Sequence, residues 1–156
     1  MTEFQRLELQ QFLSEVVAEV QERIRTKKIT KFGPAEASGN LRRSVKSKLD
    51  SYGGEVSALA YIDNLTKGTP PGKYIPIFVI ENWLVDKGLD NKLSPFTVSN
   101  SIFRKGTTVF QQGGSDLLKD LLDATKRKRL SKITIDAVIA EYRAKVLPEF
   151  RKLELA

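Results

Sequence analysis

The sequence predicts an α+β fold: a long N-terminal helix, a small antiparallel β-sheet built on one hairpin, and several shorter helices after it. Two observations lead there. Apolar residues recur at three- and four-residue steps from Phe4 to Ile24 and again beyond Ile77, the repeat of a helix face. Between these stretches, two short segments alternate apolar and polar residues around Ser51-Tyr52-Gly53-Gly54, the repeat of paired strands joined by a turn. At 156 residues the chain reads as a single domain, long enough to bury a core.

The first helix is expected over 2–26. Phe4, Phe12, Leu13, Val16, Val17, Val20 and Ile24 form its apolar face, and Lys27 and Lys28 suit its C-terminal end. Gly33-Pro34 breaks any continuation, and 35–40 reads as a linker. The hairpin is expected over 41–62. Val45 and Leu49 share one face opposite Lys46 and Lys48, and Val56, Ala58, Ala60 and Ile62 line the return strand. Thr107–Gln111 is the best remaining strand candidate. A sheet this small leaves edges that neighbouring subunits would cover.

Segment 67–88, KGTPPGKYIPIFVIENWLVDKG, is the most informative part of the chain. Pro70 and Pro71 stiffen a loop, Gly68 and Gly72 let it turn, and Lys67 and Lys73 flank it with charge. A helix follows with Ile77, Ile80, Trp83 and Leu84 on one face, stopping at Gly88 after Lys87. A stiff loop leading into a packed helix suits docking, so 67–74 is read as a docking loop and 75–152 as the helical part. There, Ser94 caps a helix with Pro95 first, Phe96, Ser99, Ile102 and Phe103 on one face, and Gly106 as its stop. Ser115 is expected to cap another, with Leu117, Leu118, Leu121 and Leu122 inward and Asp116 and Asp120 near its positive end. The last helix is expected over 134–147, striped by Ile135, Val138, Ile139, Tyr142 and Val146 and ended or kinked by Pro148.

Composition removes much chemistry. With no cysteine and no histidine, disulfides, thiolate metal sites and the usual general base are unavailable. A magnesium nuclease needs clustered acids, and Asp50, Asp63, Glu81 and Asp86 are scattered. The glycine-rich pieces 51–54 and 111–114 lack the spacing and lysine of a phosphate-binding loop. The expectation is a non-enzyme with no cofactor and no metal. The N-terminus does not read as a signal peptide and no apolar run is long enough to cross a bilayer, so folding in the cytosol and no membrane partner are expected.

The net charge of +7 favours an anionic partner. Two clusters carry it: Arg42, Arg43, Lys46 and Lys48, and the run Lys126-Arg127-Lys128-Arg129 with Lys132. The plain reading of the run is a helix end whose last-turn cations complement the dipole; the functional one is contact with DNA or an acidic partner. Tyr61 and Tyr74 read as core-edge aromatics, and Trp83 as a residue of the monomer core, with the alternative of an interface anchor. A DNA-binding regulator of helix-turn-helix type is the alternative function, using residues 75–104 with Thr97, Ser99, Asn100 and Arg104 as readers. Against it, the gap at 88–93 exceeds the usual turn.

The order of motifs resembles the head–tail joining, or tail-completion (neck), proteins of tailed bacteriophages. After the long helix comes Ser38-Gly39-Asn40-Leu41-Arg42-Arg43-Ser44, similar to the family's S/T-G-x-L-R-x-S. Tyr61 and Gly68-Thr69 follow as the aromatic-flanked Gly-Thr turn, then Pro71-Gly72-Lys73, Trp83 with Lys87-Gly88-Leu89, and Arg104-Lys105-Gly106-Thr107. The similarity spans about residues 1–125. Lys67 stands where the family has an acidic residue, and the basic tail from Lys126 has no counterpart. The resemblance implies a virion structural protein, folded in the host cytoplasm, that forms a homo-oligomeric ring at the neck. Its partners would be portal, neck or tail proteins, with non-specific contact to DNA passing the channel. It implies subunit or neighbour contacts by Arg42, Arg43, Val45, Tyr61, Lys67, Thr69, Pro70, Pro71, Lys73 and Trp83, with Lys126, Arg127, Lys128 and Arg129 facing DNA or an acidic partner.

Overall fold

The computed structural model describes residues 3–50 and 53–145. In chain order they form α1 (Glu3–Thr26), β1 (Lys28–Thr30), β2 (Gly33–Pro34), α2 (Asn40–Ser44), β3 (Lys46–Leu49), β4 (Gly54–Ser57), α3 (Ile62–Thr66), α4 (Ile77–Asp86), α5 (Pro95–Lys105), α6 (Thr108–Gln111) and α7 (Ala124–Lys145). The fold is α+β, with two two-stranded antiparallel sheets, β1–β2 and β3–β4. The chain divides into two compact units. Of the described residues, 3–18, 47–50, 53–56 and 120–145 belong to the first and 19–46 with 57–119 to the second. No helix among them is long and apolar enough to cross a membrane.

In the first unit, α1 buries Phe12, Leu13 and Val16, as expected, and also Leu9, which the expected face omits; Phe4 is 69% exposed and Gln5 is buried instead. The reason is phase. Gln5 sits four residues before Leu9 and therefore on its face, whereas Phe4 is turned about 100° away. The β3–β4 hairpin rests on this helix at Gly54, where an added Cβ would lie 2.3 Å from Leu13 Cδ1. The turn is closed from both sides: Asp50 N–H donates to Gly53 O and Gly53 N–H to Asp50 Oδ1 at 2.7 Å.

Helix α7 starts ten residues before the expected position at Thr134. Asp123 is the missed start signal: its carboxylate accepts from the Lys126 backbone N–H at 2.8 Å, which holds its pKa below the usual value. The run 126–129 therefore occupies the first turns of α7, where cations oppose the helix dipole, and not a last turn as read from the sequence. Arg129 is held by an ion pair with Glu15 and lies over the Phe12 ring. The inward face of α7 runs through Lys126, Leu130, Ile133, Ala137 and Ala140. With Ile133 inside, helical phase turns the expected stripe outward, and Ile135, Val138, Ile139 and Tyr142 are exposed. Val146 and Pro148 lie outside the described residues.

In the second unit Ile24, Leu41, Val45, Ile80, Leu84, Val109 and Leu117 are buried. The β1–β2 pair sits where a break and linker are expected; Lys28 faces Pro34 and Thr30 faces Gly33, with an irregularity between them. Phe32, next to that turn, meets Trp83 edge to face at 6.1 Å. Lys87 Nζ reaches across to the carbonyls of Pro34 and Glu36, fixing the end of α4 to β2.

Three further expectations change. Leu41–Ser44 begins no strand. Gly39 adopts φ +76° and starts α2, so β3 covers only Lys46–Leu49. The return strand stops at Ser57, and the chain turns through Leu59 and Ala60 into α3. Residues 115–122 form no helix: Ser115 is consumed by hydrogen bonds to Thr66 O (2.7 Å) and Leu65 O (2.6 Å), and Asp120 has φ +54°. Arg23 and Lys27, at the end of α1, grip this segment through Lys119 O and Asp116.

Replacing Ile133 (5% exposed) by Ala is expected to cost about 2–5 kcal/mol in denaturant unfolding, whereas Ile135→Ala (56% exposed) stays within roughly 0.5 kcal/mol; the reverse order would contradict the phase of α7. Acid supplies a second check. Glu15 is held below its ordinary 4.5, chiefly by the Arg129 hydrogen bond, and Asp116 below its ordinary 3.8, chiefly by Lys27. A carboxylate depressed on folding binds fewer protons folded than unfolded. Its stabilisation is present above the unfolded pKa and lost as pH falls through the folded one. The thermal midpoint should therefore drop below about pH 5, less steeply at high salt or in a Glu15→Gln, Asp116→Asn double variant.

Candidate docking surface

The proline loop owes its shape to a latch between two Gly-Thr pairs. Gly68 has φ +79°, and a Cβ there would lie 2.2 Å from Phe110 N. Gly106 has φ +74°, and a Cβ there would lie 2.8 Å from Thr69 O. Only glycine permits both the backbone angle and the close approach. The two threonines then exchange hydrogen bonds: Thr69 N–H donates to Thr107 Oγ1 and Thr107 N–H donates to Thr69 O, both at 2.9 Å. Thr107 Oγ1 also accepts from Phe110 N–H and so caps α6. That capping role is why TTVFQ folds as a helical turn and not as the expected strand.

Beyond the latch the loop lies along α5. Gly72 N–H donates to Phe103 O at 2.7 Å and Ser99 Oγ donates to Ile75 O at 2.9 Å. One side of the loop is thereby pinned, while Pro70, Pro71, Gly72, Lys73 and Tyr74 are exposed. Around them Phe78 (64% exposed), Phe96, Phe103 and Phe110 also face solvent. Phe96, Ser99 and Phe103 are expected on one face of α5, yet only Ser99 is buried there, because the 72–75 strip covers the Ser99 side while Phe96 and Phe103 stay exposed. Ser94 is the N-cap by position, with Pro95 first, but makes no side-chain cap bond.

The other candidate residues fall into three groups. Thr69 (3% exposed) and Val45 are buried within the folded chain: Thr69 belongs to the latch, and Val45 ends α2, its carbonyl accepting from Gln21 Nε2. Arg42, Arg43 and Trp83 are engaged within the second unit. Arg42 Nε bonds Glu36 Oε1 at 2.6 Å, Arg43 folds over Gly39 to Ser38 O and Asn40 Oδ1, and Trp83 is half-buried against Phe32. The SGNLRRS motif thus shapes α2, with Ser44 Oγ accepting from Leu59 N–H to set the next turn. Tyr61, Lys67, Pro70, Pro71 and Lys73 are exposed; Lys67 makes only a loose 3.7 Å pair with Asp63. Partial burial raises the Tyr61 pKa, with the Leu41 backbone acting in the opposite sense.

In the basic run, Arg127 and Lys128 are exposed, Arg129 is paired, and Lys126 Nζ donates to Leu121 O. Of the helix-turn-helix readers, Thr97, Asn100 and Arg104 are exposed and Ser99 is buried. Among the described residues no three acids gather as metal ligands would. The sequence presents Thr107 as the end of the RKGT motif and the start of a strand, not as a partner of Thr69, and does not single out Phe110 as a surface ring; the repeated Gly-Thr pair is the available signal.

No protein-family description, curated protein or solved structure matches this chain.

The latch makes a sharp prediction. Thr107→Val removes the acceptor shared by two backbone N–H groups, at about 1–1.5 kcal/mol for a typical bond. Exchange of the Thr69 amide should accelerate about tenfold. Gly106→Ala should destabilise the loop by roughly 1–3 kcal/mol through strain at positive φ. Unchanged exchange in Thr107→Val would remove the latch from the account.

Proposed function

We propose that this chain is a virion structural protein that assembles into a ring at the head–tail junction of a tailed bacteriophage. The observation that carries the reading is the pairing of under-sized sheets with a displayed rigid loop. Each sheet has two strands, so every strand keeps an unpaired edge, and isolated hairpins of this size are marginal in water. The 67–74 loop is fixed from behind and offers prolines and aromatics outward, the arrangement of a preorganised docking element. The motif order from Ser38 to Thr107 supports the same reading, because each motif has a structural task in the second unit: α2, the latch, the end of α4 and the stop of α5.

In this reading the β3–β4 hairpin completes its layer against the hairpin of an adjacent copy, and the 67–74 loop reaches a neighbouring component. Arg127 and Lys128, exposed at the start of α7, supply charge toward DNA in the channel or toward an acidic partner. Arg42, already paired with Glu36, contributes less of that charge than the sequence suggests.

Native mass measurement of the purified chain should give a closed oligomer, and deletion of its gene should leave phage heads and tails unjoined. A monomer at every concentration, from a protein missing from purified particles, would overturn the reading.

A further inference from the structure

Two exposed surfaces of this chain are opposite in charge, and each carries exposed apolar side chains. The first surrounds the latch. Tyr74, Phe103 and Phe110 are exposed there beside Lys73, Arg104 and Lys105, and none of these cations has an ion-pair partner among the described residues. Their proximity follows from the backbone: Gly72 bonds Phe103, Thr69 bonds Thr107, and Phe110 Cδ1 lies 2.9 Å from where a Gly106 Cβ would stand.

The second surface is the first two turns of α1. Phe4 and Leu7 are 69% and 60% exposed at an i, i+3 spacing, which puts them side by side. Helical phase sets them away from the buried stripe of Gln5, Leu9 and Phe12, with Glu3 on one flank and Glu8 on the other. Arg6 lies about 100° round the helix from Leu7, just beyond Glu3, whose i, i+3 neighbour it is. Neither Glu3 nor Glu8 is in an ion pair among the described residues, although the Glu8 charge acts on Arg129, whose direct partner is Glu15.

We propose that the α1 turn carrying Glu3, Phe4, Leu7 and Glu8 of one copy docks on the basic aromatic surface around Lys73, Phe103 and Arg104 of the next. The pairing rests on the reading of this chain as a self-assembling subunit and narrows it to two named faces. Charge selects this geometry. The basic face cannot pair with itself across a two-fold axis, because that would set Arg104 and Lys105 near their own copies. Contact with the acidic face is heterologous, and a repeated heterologous contact closes into a ring or runs into a filament. Nucleic acid is the less suitable occupant. Three cations stand among a larger set of apolar groups, whereas phosphate-binding surfaces are dominated by positive charge.

The test uses two full-length variants, both altered only at exposed or half-exposed positions: Glu3→Lys with Glu8→Lys, and Arg104→Glu with Lys105→Glu. Circular dichroism and the thermal midpoint verify that each folds. In sedimentation at matched concentration and low salt, each variant alone should self-associate at least tenfold more weakly than the unaltered chain. Mixed one to one, they should associate again as alternating copies, since the acidic turn of the second meets the basic face of the first and the two reversed surfaces are also opposite in charge. If both variants associate as the unaltered chain does, this pairing is wrong while a ring held by strand edges survives. An unaltered chain that stays monomeric removes both. If the Arg104→Glu, Lys105→Glu variant loses binding to a single-stranded oligonucleotide but keeps full self-association, the basic face serves nucleic acid and the pairing is likewise overturned.

Discussion

The reciprocal hydrogen bonds between Thr69 and Thr107 are the constraint on which the second unit's outward face depends. They join backbone groups that would otherwise be buried without partners, and the two glycines allow the chains close enough for the bonds to form. Everything displayed nearby inherits its position from them. Pro70 and Pro71 limit the backbone between the fixed points, so the exposed part of the loop has little freedom left to lose on binding. A surface organised in this way gains affinity from its rigidity, since ordering has been completed within the folded subunit.

Charge in this molecule is arranged more than it is accumulated. Several cations are neutralised locally: Arg42 by Glu36, Arg23 by Glu19, Lys27 by Asp116 and Arg129 by Glu15. Lys73, Arg104 and Lys105 remain exposed without such partners, near the exposed rings of Tyr74, Phe103 and Phe110. Exposed ion pairs contribute little stability singly, so the pairing serves chiefly to concentrate the net charge on particular faces. The basic start of α7 is the costly exception, with Arg127 and Lys128 at the positive end of a helix dipole. The Asp123 carboxylate at the start of the helix offsets part of that cost.

Legibility in the sequence followed locality. Helix α4 and its stop are readable because Ile80, Leu84 and Gly88 decide their own surroundings, and Gly88 indeed takes φ +63°. Helix α5 announces itself through Ser94-Pro95 and Gly106. By contrast, Thr107–Gln111 has strand-like composition but is drawn into a helical turn by a partner 38 residues away. Segment 115–122 has helical spacing, yet Ser115 is claimed by α3 and Asp120 breaks the backbone path. For α7 the apolar stripe is correctly periodic but faces outward, since periodicity gives a face and only packing says which way it points. The loop's exposure is legible from its prolines and lysines. The burial of Thr69 and the basic aromatic surface are not, because both depend on segments brought together by the latch.

The latched loop and its aromatic surroundings are the face proposed to be covered when subunits assemble. Hydroxyl-radical footprinting of the protein, dilute and assembled, reads the exposure of those rings directly. Tyr74, Phe103 and Phe110 should be labelled in the dilute chain and protected on assembly, while Tyr142 on α7 keeps its labelling. Assembly that leaves all three rings as reactive as before would contradict the account.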